Sequence, residues 1–202
     1  MNENHAQVCT SPEWARHIQT DILPVLTRDV DLGADLLEIG PGPGAATDWL
    51  RHHVSRLTAV EIDETAAKSL ADRYSGTNVE IITGSGADLQ FADASFDSVA
   101  TLTTLHHVPT AALQDKILAE AFRVLRPGGV LIGSDSLPSN DLHHFHDGDT
   151  YNPVEPATVL TRLQMLGFGP ITVIVDGSLK FTARKPAASG TGDGCGRAGT
   201  DS

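Results

Sequence analysis

Hydrophobic and polar positions along the chain follow two spacings. Residues 12–28 begin with Pro12 at a first helical position, and Trp14, Ile18 and Ile22 follow on one helical face. Beyond them, short apolar runs are separated by stretches of helical spacing. The pattern predicts a helix before the first strand and then a regular alternation of strands and helices.

The predicted elements define the fold class. Strands are expected at residues 36–40, 57–62, 79–84, 96–105, 130–135, 171–176 and 178–185, and helices at residues 44–53, 64–74, 110–125 and 156–166. Strands that alternate with helices imply right-handed crossovers and a parallel sheet covered on both faces. Only Gly177 separates the last two strands, so they form an antiparallel hairpin. We therefore expect an α/β fold with a seven-stranded, mostly parallel sheet.

The chain length suits one domain. We expect residues 1–185 to form it, with residues 1–31 as an N-terminal helical cap and residues 136–156 as a loop after the fifth strand. The "RPGG" stretch is expected to end a helix sharply before the fifth strand. Residues 186–202 have no periodic apolar positions and are rich in Gly, Ser and Thr, so we expect them to be disordered.

Charge and cysteine content exclude several classes of partner. The formal net charge is −12 and no cluster of Lys and Arg interrupts it, so nucleic acid and membrane surfaces are unfavourable partners. Two cysteines, Cys9 and Cys195, make no disulfide framework, and no leader pattern or long apolar run is present. We expect a cytoplasmic protein; the sequence does not indicate its oligomeric state.

Three glycines follow the first predicted strand in "LLEIGPGPGAAT". Gly40, Gly42 and Gly44 permit positive φ angles and a close approach of a ligand to the backbone. Glu61, 19 residues after Gly42, ends the second predicted strand at the separation where a carboxylate binds a ribose diol. The first strand-to-helix turn of such a sheet is therefore expected to bind a ligand that contains ribose.

The glycine turn alone also fits a dinucleotide fingerprint, since Gly40, Gly42 and Ala45 satisfy its G-x-G-x-x-A form. Two observations weigh against pyrophosphate. Pro41 and Pro43 have no amide hydrogen to donate, and an acidic residue precedes the turn. A ligand with a cationic centre and no phosphate suits this turn better.

Five motifs in order carry a resemblance to a known family. They are "LLEIGPGPG", "AVEID", "GSGADLQFADASFDSVA", "TLHHV" and "AFRVLRPGGVLIGSD". Over residues 32–135 the chain resembles a class I S-adenosylmethionine-dependent methyltransferase of the small-molecule type, similar to methyltransferase domain 11. The resemblance implies a Rossmann-like fold, S-adenosyl-L-methionine as cofactor and transfer of its methyl group to a small-molecule acceptor.

The resemblance also implies which residues bind the cofactor. Glu38 and the backbone of residues 40–44 would face the methionine portion, and Glu61 would bind the ribose hydroxyls. Where the family commonly has an acidic residue facing adenine, this chain has Ser85, a weaker acceptor for which Asp88 could compensate. The full set of expected cofactor-binding residues is Glu38, Gly40, Gly42, Gly44, Glu61, Ile62, Ser85, Gly86, Ala87 and Thr103.

Two histidines after the fourth predicted strand are candidate catalytic residues. An acceptor that must lose a proton needs a base, and His106 or His107 lies where the family's acceptor pocket opens. The alternative is that one packs or caps the next helix while the other is exposed. Contacts to the acceptor are expected from Trp14, His106, His144 and Tyr151, although Trp14 at helical spacing equally fits a core position.

Two other groups of charged residues are interpreted as structural. The stretch "DLHHFHDGDTY" at 141–151 could ligate a metal ion through His143, His144, His146, Asp147 and Asp149. No second ligand set at helical spacing accompanies it, so we interpret it as a polar loop on the acceptor side and assign no metal. Arg123 and Arg126 flank a helix end and are interpreted in the same way.

Two other functions remain open. An NAD-dependent reductase of the short-chain type requires Tyr-x-x-x-Lys, but Tyr74 is followed by Asn78 and Tyr151 by Glu155. A non-catalytic module that keeps the fold and the cofactor is favoured by Ser85 in place of an acid. The methyltransferase remains the leading hypothesis.

Overall fold

The computed structural model describes residues 3–188. Its sheet confirms the predicted fold class: seven strands lie in the order β3-β2-β1-β4-β5-β7-β6. Strands β1 to β5 are parallel, and β7 runs antiparallel to both β5 and β6. The strands are β1 (Asp35–Ile39), β2 (Arg56–Glu61), β3 (Val79–Thr83), β4 (Phe96–Leu102), β5 (Leu125–Asp135), β6 (Ile171–Asp176) and β7 (Ser178–Arg184).

Helices cover both faces of the sheet. They are α1 (Glu3–Cys9), α2 (Pro12–His17), α3 (Leu23–Thr27), α4 (Thr47–Leu50), α5 (Glu64–Arg73), α6 (Ala111–Val124), α7 (Asn140–Phe145) and α8 (Pro156–Met165). A π-helical turn, Ile18–Ile22, joins α2 to α3, so residues 12–27 form one helical segment as predicted. In the part of the chain that the structure describes, no helix has the length and apolarity needed to span a bilayer.

Two hydrophobic cores lie on opposite faces of the sheet because side chains alternate along each strand. On β1, Leu36 packs with Ile18, Leu23 and other residues of the N-terminal helical segment. Its neighbour Leu37 packs with residues of α6 and α8, such as Ile117, on the other face. The nearly continuous apolar sequence of β1 is therefore explained by burial on both sides.

The structure corrects three local predictions. The "RPGG" stretch lies inside β5, which begins at Leu125 directly after α6, and the β4–β5 register shifts there. The predicted helix 44–53 is α-helical only at Thr47–Leu50, because i to i+3 hydrogen bonds tighten its end at His52 and His53. The expected loop 136–156 contains α7, whose N-cap is Ser139. Six residues are too few for a helical period to be evident in the sequence.

The amino ends of the strands are fixed by ion pairs. Arg126 contacts the carboxylates of Asp35 and Asp97, and Arg123 contacts Glu120 and Asp93. Both arginines thus have structural partners, as their interpretation from the sequence requires. The predicted disordered segment 186–202 lies, from residue 189 onward, outside the described residues, as does Cys195.

Candidate functional site

A cavity of about 300 Å³ lies at the carboxyl ends of the parallel strands. The strand order reverses between β1 and β4, and ligands of open α/β sheets bind at such a reversal. Residues that follow β1, β2, β3 and β4 form the floor and walls. Cys9, Trp14 and Ile18 from the N-terminal helices close it. The cavity therefore joins the glycine turn to the cap.

The three glycines of the turn have positive φ angles but different surroundings. The φ angles of Gly40, Gly42 and Gly44 are 69°, 52° and 87°. A Cβ on Gly40 would lie 2.3 Å from Cγ2 of Thr104, whereas a Cβ on Gly42 would meet nothing within 4 Å. Gly40 and Gly42 both line the cavity. Only Gly42 leaves open space for a ligand to approach the backbone.

Gly44 lies outside the residues that line the cavity, although we expected it to face the cofactor. A Cβ at this position would lie 2.7 Å from the hydroxyl of Tyr74. That hydroxyl is in turn held by Asp48 at 2.9 Å and by the Gly44 carbonyl at 3.2 Å. Gly44 is thus required for packing of the turn against the end of α5.

We expect Gly44→Ala to destabilise the fold by about 2–4 kcal/mol, the cost of a positive φ plus overpacking against Tyr74. Gly76→Ala is the matched control, because Gly76 has φ 75° and open space around its Cβ position. The control should cost about 1 kcal/mol for backbone strain alone. Urea unfolding of both variants measures the difference, and equal destabilisation would contradict the packing role of Gly44.

Glu38 is a buried acid at the end of β1, and only 1% of its surface is exposed. Thr47 Oγ1 donates to its Oε2 at 2.6 Å. Burial raises the pKa of Glu38 to about 7, despite the hydrogen bond from Thr47. A cation bound in the cavity would stabilise the ionised form, so this carboxylate fits a positively charged ligand.

Glu61 is the second carboxylate of the cavity. Its Oε2 accepts from the Gly42 amide at 3.3 Å and its Oε1 from the Asp63 amide at 3.0 Å. Each carboxylate oxygen has a further lone pair, so the side chain can also accept from two hydroxyl groups. The next residue, Ile62, also lines the cavity, yet is 75% exposed.

The segment after β3 forms one wall of the cavity through Ser85, Gly86 and Ala87. Ser85 Oγ accepts from the Ala87 amide at 3.2 Å, which fixes the turn. Asp88 is exposed and lies outside the lining residues, so its side chain does not replace the missing acid there. This wall can therefore contact a planar group through its backbone atoms and through Ser85.

Two threonines after β4 complete the floor. Thr103 has a φ of 52°, a conformation that a β-branched residue adopts only under strain. Its amide donates to the Ser134 carbonyl at 2.7 Å, which holds it there. Thr104 Oγ1 donates to the Gly40 carbonyl at 3.0 Å and so ties the end of β4 to the glycine turn. Such strain is typical of functional sites.

The residues expected on the acceptor side are only partly brought together. Trp14 and His107 line the cavity, whereas His106, His144 and Tyr151 lie outside its lining. His106 is buried behind it, where its Nδ1 and its backbone amide contact the Asp135 carboxylate. His144 is exposed on α7, and Tyr151 stacks on His146 with ring centroids 4.5 Å apart.

His107 reaches the cavity from a short 3-10 turn, Leu105–His107. Buried Gln114 holds this turn by donating to the Leu105 carbonyl at 2.9 Å. Burial, together with a smaller contribution from three neighbouring histidines, lowers the pKa of His107 to about 3. The ring is therefore neutral at pH 7 and a weak base, suited to contact with a ligand more than to proton abstraction.

Sequence reasoning missed several lining residues. Cys9 is the last residue of the short helix α1, and burial raises the pKa of its thiol. Others from outside the glycine turn include Ile18, Val60, Gly84, Leu102, Thr104, Val108, Pro109, Leu113 and Ile117. In the sequence, Ile18 fits the apolar face of a helix. The position of Thr104 after a strand end is a signal that could have predicted its place in the cavity.

Comparison with known families identifies the central part of the chain. A family model described as a methyltransferase domain matches residues 37–133. The chain is 31% identical over 112 residues to phthiotriol/phenolphthiotriol dimycocerosates methyltransferase 1 of Mycobacterium ulcerans. It is 30% identical over 112 residues to a fatty-acid O-methyltransferase of Mycolicibacterium smegmatis. Each match covers 54% of this chain and 40% of the relative, so the chain spans about two fifths of these curated relatives.

Solved structures share the fold. A SAM-dependent methyltransferase from Aquifex aeolicus superposes with a TM-score of 0.71 at 18% identity, covering 92% of this chain and 99% of the other. A SAM-dependent methyltransferase from Methanosarcina mazei gives a TM-score of 0.67 at 20% identity, covering 83% of this chain and 99% of the other. At these identities the likeness extends to the fold.

Proposed function

We propose that the chain is a class I S-adenosylmethionine-dependent methyltransferase, which transfers a methyl group from S-adenosyl-L-methionine to a small-molecule acceptor; the match of residues 37–133 to a methyltransferase-domain model supports this proposal. The observation that carries the proposal is the convergence of Glu38, Gly42 and Glu61 on one cavity. When bound, S-adenosyl-L-methionine supplies an electrophilic methyl group on a sulfonium centre.

The donor set of the cavity fits this cofactor. Glu38 offers a buried carboxylate to a cation, and Gly42 leaves room beside its backbone for the methionine portion. Glu61 retains lone pairs for the two ribose hydroxyls, and Ser85 to Ala87 border the space for adenine. No lysine or arginine is present among the described residues that line the cavity. These features favour a sulfonium over a pyrophosphate.

The acceptor side supports an apolar small molecule. Trp14, Ile18, Val108 and Leu113 contribute apolar surface there. The names of the two curated relatives above give phthiotriol/phenolphthiotriol dimycocerosates and fatty acids as their substrates, and we propose an acceptor of apolar character for this chain. The cap and the cavity walls would align the acceptor and exclude water, which accounts for much of the rate in a transfer of this kind.

We propose a contact role for His107 and a supporting role for His106. His107 touches the cavity as a neutral imidazole, and His106 lies behind it against Asp135. An acceptor that is already deprotonated at neutral pH, such as a carboxylate, needs no strong base. The His107→Gln variant should therefore lose activity mainly through a higher KM and should keep the pH profile of the unsubstituted protein. Loss of a titration from that profile would instead assign the role of a base to His107.

The proposed domain extends over residues 1–185, with residues 1–31 as the cap and residues 136–156 on the acceptor side. Support comes from the cavity itself, which is built from residues of both the cap and the sheet. The expected compartment is the cytoplasm, and the net charge of −12 supports small molecules over nucleic acid or membranes as partners.

Formation of S-adenosylhomocysteine tests the proposed activity. The full chain is incubated with methyl-labelled S-adenosyl-L-methionine and either a panel of fatty acids and polyketide phenols or an extract of small metabolites. Label in an organic-extractable product, together with S-adenosylhomocysteine, is expected. A protein that binds the cofactor but never forms S-adenosylhomocysteine would be the non-catalytic module.

A further inference from the structure

Four histidines from three separate segments meet beside the cavity. They are His5 on α1, His106 and His107 in the 3-10 turn after β4, and His146 directly after α7. One ring nitrogen of each lies within 4.8 Å of the others. His5, His106 and His146 are buried, and His107 is half-buried. We call this group the four-histidine cluster.

The outer ring nitrogens of the four-histidine cluster face oxygen atoms. His5 Nδ1 lies 3.3 Å from Asp149 Oδ2, and His106 Nδ1 contacts Asp135 Oδ1. His146 Nδ1 lies 2.6 Å from the Leu142 carbonyl. These oxygens accept hydrogen bonds, so Nδ1 of each of these three rings carries a proton. A histidine that binds a metal has this arrangement of an outer oxygen and an inner lone pair.

The inner side of the four-histidine cluster is suited to bind a cation. His146 Nε2 is buried and has no hydrogen-bond partner among the described residues. One ring nitrogen of each of the four histidines lies close enough to the others for a cation to bind between them.

The surroundings carry the charge that balances a divalent cation. Asp135 is buried and accepts from the backbone amides of His106 and Ser136 in addition to the His106 ring. Asp149 contacts the His5 ring. Two carboxylates behind the four imidazoles compensate two positive charges without a carboxylate in the inner sphere.

We propose that His5, His106, His107 and His146 bind one divalent transition-metal ion, for which Zn²⁺ is the best fit. Imidazole suits Zn²⁺, and four protein ligands in a tetrahedron are typical of structural zinc sites. Zn–N distances of about 2.0–2.1 Å place the nitrogens roughly 3.4 Å apart, so the cluster contracts by about 1.5 Å at most on binding. The ion fastens α1 and the end of α7 to the turn that carries His107.

Metal content tests the site independently of methyl transfer. The full chain is purified without a histidine tag from zinc-supplemented cells, and its metals are measured by mass spectrometry. One equivalent of Zn²⁺ is expected, and chelator treatment should lower Tm by about 10 °C, since metal binding energy adds to folding stability. Less than a tenth of an equivalent, with no Zn²⁺ uptake in a calorimetric titration, would overturn the proposal.

Substitutions identify the ligands. His5→Gln and His146→Gln should each lower the Zn²⁺ affinity at least 100-fold and abolish the visible ligand-field bands of the Co²⁺-substituted protein. His144→Gln is the matched control, because His144 lies on α7 but is exposed and outside the cluster. Far-ultraviolet circular dichroism verifies that each variant is folded. Equal metal content in all three folded variants would overturn the proposal as firmly as a metal-free protein.

Discussion

Glu38→Gln is expected to stabilise the protein without ligand while weakening cofactor binding. The pKa of Glu38 is raised from 4.5 to about 7, so ionisation of this buried group opposes folding. The unsubstituted protein therefore loses stability as pH rises from about 4.5 to 7, by about 3 kcal/mol for a shift of this size. Glutamine has no such titration, so the stability difference should be near zero at pH 4.5 and largest at pH 8.

Cofactor affinity should change in the opposite direction. At pH 8 the Glu38→Gln variant loses a carboxylate that faces a cation, and we expect binding about 10- to 100-fold weaker. Affinity of the unsubstituted protein should fall about tenfold per pH unit below pH 7, because the carboxyl must release its proton before it attracts the sulfonium ligand. The variant should lack this dependence.

Urea unfolding at pH 5 and pH 8 and calorimetric titration with S-adenosyl-L-methionine measure the two effects. Glu80→Gln provides the control, because Glu80 lies exposed on β3 outside the cavity. The Glu80→Gln control should match the unsubstituted protein in both stability and cofactor affinity. A Glu38→Gln protein that binds the cofactor as tightly as the unsubstituted one at pH 8 would contradict the electrostatic role of Glu38.

Glu61→Ala is expected to weaken binding of S-adenosyl-L-methionine by about 100-fold or more. The carboxylate would accept two charge-assisted hydrogen bonds from the ribose, and each such bond contributes about 1.5–3 kcal/mol. The substitution also frees the amides of Gly42 and Asp63, which loosens the turn against the cavity. Glu61→Gln keeps one acceptor oxygen and should lose about tenfold.

The informative result is which of the two Glu61 variants binds the cofactor more weakly. Glu64→Ala is the control, because Glu64 is an exposed residue in the first turn of α5 only three positions away. Isothermal titration of all three variants gives their affinities for the cofactor. Competitors that lack a ribose hydroxyl, such as 2′-deoxyadenosine analogues, should differ less in affinity among the variants than the intact cofactor does. Affinities of both Glu61 variants within twofold of the control would remove Glu61 from the ribose site.

Elements and residues close to strand ends were predictable from the sequence. The β-α alternation and the single residue Gly177 determine the sheet and its hairpin, because the lengths of the connections permit no other pairing. Glu38, Gly42 and Glu61 fall at the ends of two adjacent parallel strands, so their side chains meet at one edge of the sheet. Local spacing was sufficient in each case.

Contacts between distant segments could not be predicted in the same way. His5 and His106 are about a hundred positions apart and meet only because α1 lies beside the 3-10 turn that follows β4. Gly44 shows the same limit: its positive φ follows from its place in the turn, but the hydroxyl of Tyr74 that excludes a side chain comes from α5. His144 is exposed on α7, whereas His146, directly after the end of α7, is buried. A helix as short as α7 has no periodicity that predicts this difference in burial.

Calorimetric titration of the full chain with S-adenosyl-L-methionine and, separately, with NAD tests the central claim most directly. The buried Glu38, the open space beside Gly42 and the remaining lone pairs of the Glu61 carboxylate favour a sulfonium nucleoside and disfavour a pyrophosphate. The account predicts one site for S-adenosyl-L-methionine and no heat of binding with NAD. Binding of NAD without binding of S-adenosyl-L-methionine would contradict it.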